Sequence, residues 1–177
     1  MSSGKITLEQ RKASLRYHVQ EYRKRRVIID TDAACEADDP FAIAQALMSK
    51  MLEVKGICAE HFVEEGSMEQ SYEMICRVTE AMGAEVPVLR GQTGKMSEHH
   101  GEPMTEAAQF IVGEAMKEDD KPLFVLCIGA VTNVAEAIRA KSEIVDRMTV
   151  VCIGGNPIGC ELSLIHISEP TRQAEIS

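Results

Sequence analysis

Four aspartates and a glutamate crowd into ten residues: Asp30, Asp32, Glu36, Asp38 and Asp39. Carboxylates at this density repel one another, and a bound cation or a hydroxyl-rich ligand makes the crowding favourable. Asp30 and Asp32 stand two apart at the end of the apolar run Val27-Ile28-Ile29, so both point the same way if the extended geometry persists. Asp38 and Asp39 open a stretch at helical spacing, where free amides and the helix dipole favour negative charge. Oxygens reaching in from both sides of one tight loop suit calcium or magnesium, and no histidine or cysteine pattern argues for a softer metal. The plainer alternative makes Asp38 and Asp39 helix N-caps and leaves Asp30 and Asp32 bonded to the loop backbone.

These residues need a scaffold, and the patterning around them supplies one. Val27 to Asp30 reads as a buried strand, and Asp39-Pro40 starts a helix with Phe41, Ala44, Leu47, Met48 and Met51 on its apolar side. Leu52 to Ala59 is a second strand. Ser67 to Met82 is a helix with Met68, Tyr72, Ile75, Cys76, Thr79 and Met82 near one face and Gly83 as its stop. Val86 to Leu89 is a short strand, Arg90 to Pro103 a polar loop and Thr105 to Lys117 a helix. Leu123 to Ile128 is the most apolar strand, Val131 to Ala140 a further helix, and Thr149 to Ile153 a strand ending in Gly154-Gly155-Asn156. Strands alternate with helices, which predicts the α/β class: a doubly wound, mainly parallel sheet with helices on both faces. In such sheets ligands bind beyond the carboxyl ends of the strands, so the acidic stretch, the Gly129–Asn133 turn and the Gly154–Asn156 turn should converge.

Ahead of this core, residues 1–26 read as a helical extension, with Arg23-Lys24-Arg25-Arg26 as its solvated end. The apolar content of 45% is that of a globular domain. The net charge of −9 excludes a general affinity for nucleic acid or anionic membrane. No apolar run approaches the roughly 18 residues of a membrane helix, and residues 1–26 lack the apolar core of a secretory signal. None of the six cysteines stands in a C-x-x-C pair, and most read as small core residues in a reducing compartment, hence a cytoplasmic location, with zinc or disulfides as the alternatives. His99-His100 reads as a solvated pair rather than a metal site, and Glu118-Asp119-Asp120 as a charged helix end.

Asp30-Thr31-Asp32, followed by Asp38-Asp39 and an apolar helix, resembles the N-terminal signature of the inosine/uridine-preferring nucleoside hydrolases. Gly129-Ala130-Val131-Thr132-Asn133-Val134-Ala135 resembles their second signature, a G-P-L-T-N-L-A-like turn, and Gly154-Gly155 their active-site glycine pair. The matches keep their order over roughly residues 26–156. The resemblance implies calcium-dependent cleavage of the N-glycosidic bond of a small-molecule ribonucleoside. Asp32, Asp39 and the Thr132 carbonyl would hold Ca2+. Asp32 would also take the proton of a calcium-activated water as the catalytic base. Asp38 would bind ribose hydroxyls, Asp30 would orient the loop at the substrate site, and His61 and Asn156 would line it. Departures are plain: the usual D-T-D-P-G-x-D-D has two residues fewer, and Ala33-Ala34 replaces Pro-Gly. Ala59-Glu60-His61-Phe62 occupies the place where many members carry a ribose-binding asparagine. His61 therefore lines the pocket or merely packs at the strand end.

Family members are usually longer and supply a late His-Asp pair after the glycine pair. The run Leu162 to Arg172 resembles a translated sequencing adapter, so residues 27–160 read as an incomplete hydrolase-like domain and 161–177 as a non-native tail; a genuine edge strand over Leu162–Ile167 is the alternative. Weak or absent turnover is expected of such a chain, and a homo-oligomer stays open for a full-length parent. Two rival functions stand beside the hydrolase. One is an aspartate-nucleophile phosphatase, against which Ala34 stands where that motif needs a threonine. The other is a sugar- or metal-binding fragment without turnover.

Overall fold

The structure is a computed structural model and describes residues 6–62, 64–95 and 102–153. Five parallel strands run β1 Arg25–Thr31, β2 Leu52–Ala59, β3 Val88–Arg90, β4 Leu123–Cys127 and β5 Met148–Cys152, in the spatial order β3-β2-β1-β4-β5. Between them lie α2 Asp38–Met48, α3 Ser67–Met82, α4 Glu106–Ala115 and α5 Thr132–Ala140; a short α1, Leu8–Ala13, precedes the sheet. The chain winds outward from β1 to β3, crosses back to β4 and continues outward to β5. The direction therefore reverses between β1 and β4, the crevice where doubly wound sheets bind ligands.

Strand β1 is the middle strand of the five, paired with β2 and β4, and from Arg26 to Thr31 every residue is buried. Its alternation divides the core in two. Ile28 joins Val125, Ile111, Val134 and Ala137 under α4 and α5, while Ile29 joins Ile57, Ile43, Leu47 and Ile75 under α2 and α3. Both faces are thus covered by helices, as the patterning predicts. Gly83 adopts φ +65° and ends α3 where expected. Thr105 caps α4 by accepting from the Ala108 amide.

Three expectations need correction. The N-terminal helix covers only Leu8–Ala13, and the basic run is no solvated helix end: Arg25 and Arg26 belong to β1, and Arg26 is buried against Glu114. Asp39 is not an N-cap; Ala37 holds that position and Asp38 is already helical. With Asp39 turned inward, the buried stripe of α2 becomes Asp39, Ile43, Ala46 and Leu47, and Phe41 is 76% exposed. Of the cysteines, Cys58 and Cys127 are buried, whereas Cys35 and Cys152 are exposed. Gly154, Gly155, Asn156, the His99-His100 pair, Cys160 and the tail lie outside the described residues.

Candidate functional site

The acidic loop and the Gly129–Asn133 turn meet at the carboxyl ends of β1 and β4. The approach is close enough that a Cβ on Gly129 would fall 2.7 Å from both the amide nitrogen and Oδ1 of Asp32. Glycine is therefore required there by contact, with no unusual backbone angle involved. Asp38 sits exposed on the first turn of α2. Asp39, one residue on, is 5% exposed and accepts a 2.9 Å hydrogen bond from the Thr31 hydroxyl.

Burial raises the Asp39 carboxyl to about 7, and the neighbouring Asp32 and Asp38 charges push the same way against the Thr31 bond. The Asp32 and Asp39 carboxyls stand within hydrogen-bonding reach of each other. Among the described residues, no lysine or arginine pairs with Asp30, Asp32, Asp38 or Asp39. Two facing carboxylates without a counter-charge are the donor chemistry a hard cation requires, so Asp32 and Asp39 fit calcium. Among the described residues, no three acidic, histidine or cysteine side chains converge as a complete metal cage would.

Behind the loop lies a buried network that the sequence did not disclose. Asp30 is fully buried. Its Oδ1 accepts a 2.9 Å bond from Nδ2 of Asn133, which also donates to the Ala59 carbonyl at 3.1 Å. The Asn133 Oδ1 accepts from the Gln92 amide at 2.9 Å, and its backbone N–H donates to Glu60 Oε1 at 2.9 Å. One asparagine thus ties the ends of β1 and β2 and the segment after β3 to the start of α5. Gly91 makes room for it, since a Cβ there would lie 2.1 Å from Asn133 Oδ1. Burial raises Asp30 to about 7 against the pull of Asn133 and Glu60, and burial with the Asp30 charge drives Glu60 well above the usual carboxylate range. The His61 Nε2 lies 3.0 Å from the Thr132 hydroxyl and its Nδ1 faces the Phe62 carbonyl at 3.4 Å.

Asp30, Asp32, Asp38, Asp39, His61 and Thr132 therefore all belong to one end of the sheet. Asn156 lies outside the described residues. Glu60 and Asn133 had no assigned role, although each carried a signal: Glu60 is a carboxylate directly continuing a buried strand, and Asn133 follows Thr132 in a strand-end turn.

The fold is that of a doubly wound α/β protein with an acidic cradle at its switch point. A sequence profile of the inosine-uridine preferring nucleoside hydrolases matches residues 27–161, and the chain belongs to that family. It is similar in structure to the purine-preferring ribonucleoside hydrolase from Gardnerella vaginalis, with 26% identity and a TM-score of 0.63 over 75% of this chain and 49% of that one. An inosine-guanosine nucleoside hydrolase shares the fold at 24% identity and TM-score 0.60, over 75% of this chain and 48% of that one. So does an inosine-uridine preferring nucleoside hydrolase from Bacillus anthracis, at 14% identity and TM-score 0.57 over 75% and 51%. The chain spans about half the length of these solved structures. No curated protein sequence matches it significantly.

Proposed function

We propose that this site serves the hydrolysis of the N-glycosidic bond of ribonucleosides, giving free base and ribose. The observation that carries the reading is the meeting of Asp32, Asp38 and Asp39 with the Gly129–Asn133 turn at the β1/β4 switch point, within the stretch that matches the family. Asp38, exposed on the first helical turn, accepts hydrogen bonds from ribose hydroxyls. Asp32 takes the proton of the attacking water, whose oxygen bonds to the anomeric carbon as the carbon–nitrogen bond breaks. The bonding pair leaves with the base, which takes a proton from solvent to become the free base. The ribosyl centre becomes cation-like in passing, and the surrounding carboxylates stabilise it. Asp32, Asp39 and Thr132 are the residues that would hold calcium, which when bound supplies positive charge and lowers the pKa of a water in the site. Asp30, sealed behind the loop by Asn133, orients it. His61 reaches the site through the Thr132 hydroxyl.

The purine preference of the Gardnerella vaginalis relative makes inosine the first substrate to try. No helix among the described residues is long and apolar enough to cross a membrane. The cytoplasmic salvage role belongs to the proposal and leans on the cysteines, of which Cys58 and Cys127 are buried and free.

The experiment is direct: incubate the chain with inosine or uridine, with calcium or with chelator, and follow base and ribose separately. Calcium-dependent release that Asp32→Asn abolishes supports the reading. Binding of calcium without any release favours a metal- or sugar-binding fragment, and phosphate release from a phosphomonoester favours the phosphatase.

A further inference from the structure

Glu60 takes a position where polarity is costly. It is fully buried at the end of β2, and its Oε1 is used by the Asn133 N–H while its Oε2 meets no hydrogen-bond donor. Asp30 accepts from the side chain of the same asparagine, so Asn133 is held through its backbone N–H by Glu60 and through its Nδ2 by Asp30.

We propose that Glu60 is a positioning residue, gripping Asn133 jointly with Asp30 and thereby holding the first turn of α5, Thr132 included, against the Asp32 loop. The peptide that Glu60 holds, through the Asn133 N–H, is the one joining Thr132 to Asn133. The side chain of the same asparagine reaches β1, β2 and the segment after β3, so the grip fixes the turn relative to the sheet. His61, next to Glu60, meets the Thr132 hydroxyl and braces the turn from the same strand end. The extension to cation affinity rests on the nucleoside hydrolase reading; the grip on Asn133 does not.

Glutamine is the informative substitution, since its side-chain oxygen keeps the acceptor for the Asn133 N–H. Methionine fills the same space and cannot accept that bond. In the full chain, amide exchange at Asn133 reports the grip, and calorimetric titration with calcium alone reports its consequence. Glu60→Gln is expected to stay within about threefold of the parent in both measurements. Glu60→Met is expected to speed Asn133 exchange by about 30-fold or more, with α3 amides unchanged. It should weaken calcium binding by about 10- to 100-fold, the usual cost of losing a group that supports metal ligands. Should Glu60→Met fail to fold, Gly91→Ala presses on the same asparagine from the opposite side and is read identically. Unchanged Asn133 exchange in Glu60→Met, or a Glu60→Gln as damaging as the methionine, overturns the proposal. A parent chain that binds no calcium overturns the metal part of the functional reading instead, and the grip is then decided by exchange alone.

Discussion

At the scale of single residues, the site depends on side chains that are absent as much as on those present. Gly129 and Gly91 both stand where a methyl group would overlap polar atoms of the site. At Gly129 the obstacle includes the Asp32 backbone nitrogen, which cannot swing aside as a flexible side chain would. Gly129→Ala is thus expected to displace the Asp32 carboxylate, weakening calcium binding by about tenfold or more. Isothermal titration checks this, and an affinity equal to the parent's would show that the loop yields at no cost. Asp38 gives the contrasting case. It is exposed and makes no structural bond in the described region, so Asp38→Asn should change stability by less than about 0.5 kcal/mol. The same substitution should sharply weaken binding of ribose or a nucleoside, measurable by competition against inosine.

At the scale of elements, legibility followed how much of each element's signal was local. Helix α3 was readable because its apolar period and the Gly83 stop lie in its own sequence, and β2 because Leu52–Ala59 is bounded by charge. The buried face of α2 was not readable. It turns on Thr31 donating to Asp39, a contact between two elements that rotates Ile43, Ala46 and Leu47 inward and Phe41 outward. The acids of the loop were evident from crowding alone, whereas Glu60 and Asn133 became meaningful only when five parallel strands placed them together. The start of β1 was obscured for a related reason. Arg26 looks like a surface cation in sequence, yet it is 3% exposed and its guanidinium donates to the Glu114 carbonyl and carboxylate at 2.6 and 2.9 Å. Burial alone would raise Glu114, but Lys117 and Arg26 hold it below the usual range. Removing only Arg26 leaves that carboxylate with Lys117 as its remaining cation and takes the donor from the Glu114 carbonyl. Arg26→Leu should therefore cost about 1–3 kcal/mol of unfolding free energy. The double change with Glu114→Leu should recover part of this, and urea melts of both variants with unchanged slope provide the check.

At the scale of the whole molecule, the acids of the cradle link folding to pH and to calcium with a defined sign. Asp30 and Asp39 are raised from 3.8 to about 7, chiefly by burial. The native chain therefore keeps protons, between about pH 4 and pH 7, that the unfolded chain has already lost. Stability then falls as pH rises across that window, because the native state binds more protons than the unfolded state. Surface acids with lowered values, such as Glu69 beside Arg90, act oppositely, but their contribution is complete once pH exceeds the ordinary value of 4.5. A comparison of pH 5.5 with pH 8 thus sets the lowered acids aside, and substitution of Asp30 separates the raised acids from the histidines that titrate in the same window. Without calcium, the melting temperature should be higher at pH 5.5 than at pH 8, and Asp30→Asn should reduce the difference. In the proposed site calcium would compete with the proton on Asp39, and its binding would strengthen as that proton leaves. Saturating calcium should then raise the melting temperature more at pH 8 than at pH 5.5, and Asp39→Asn should abolish that increment. Equal calcium increments at the two pH values would mean that Asp39 is not a ligand. A melting temperature that rises from pH 5.5 to pH 8 without metal would mean that the buried acids are ionised and satisfied by some other charge.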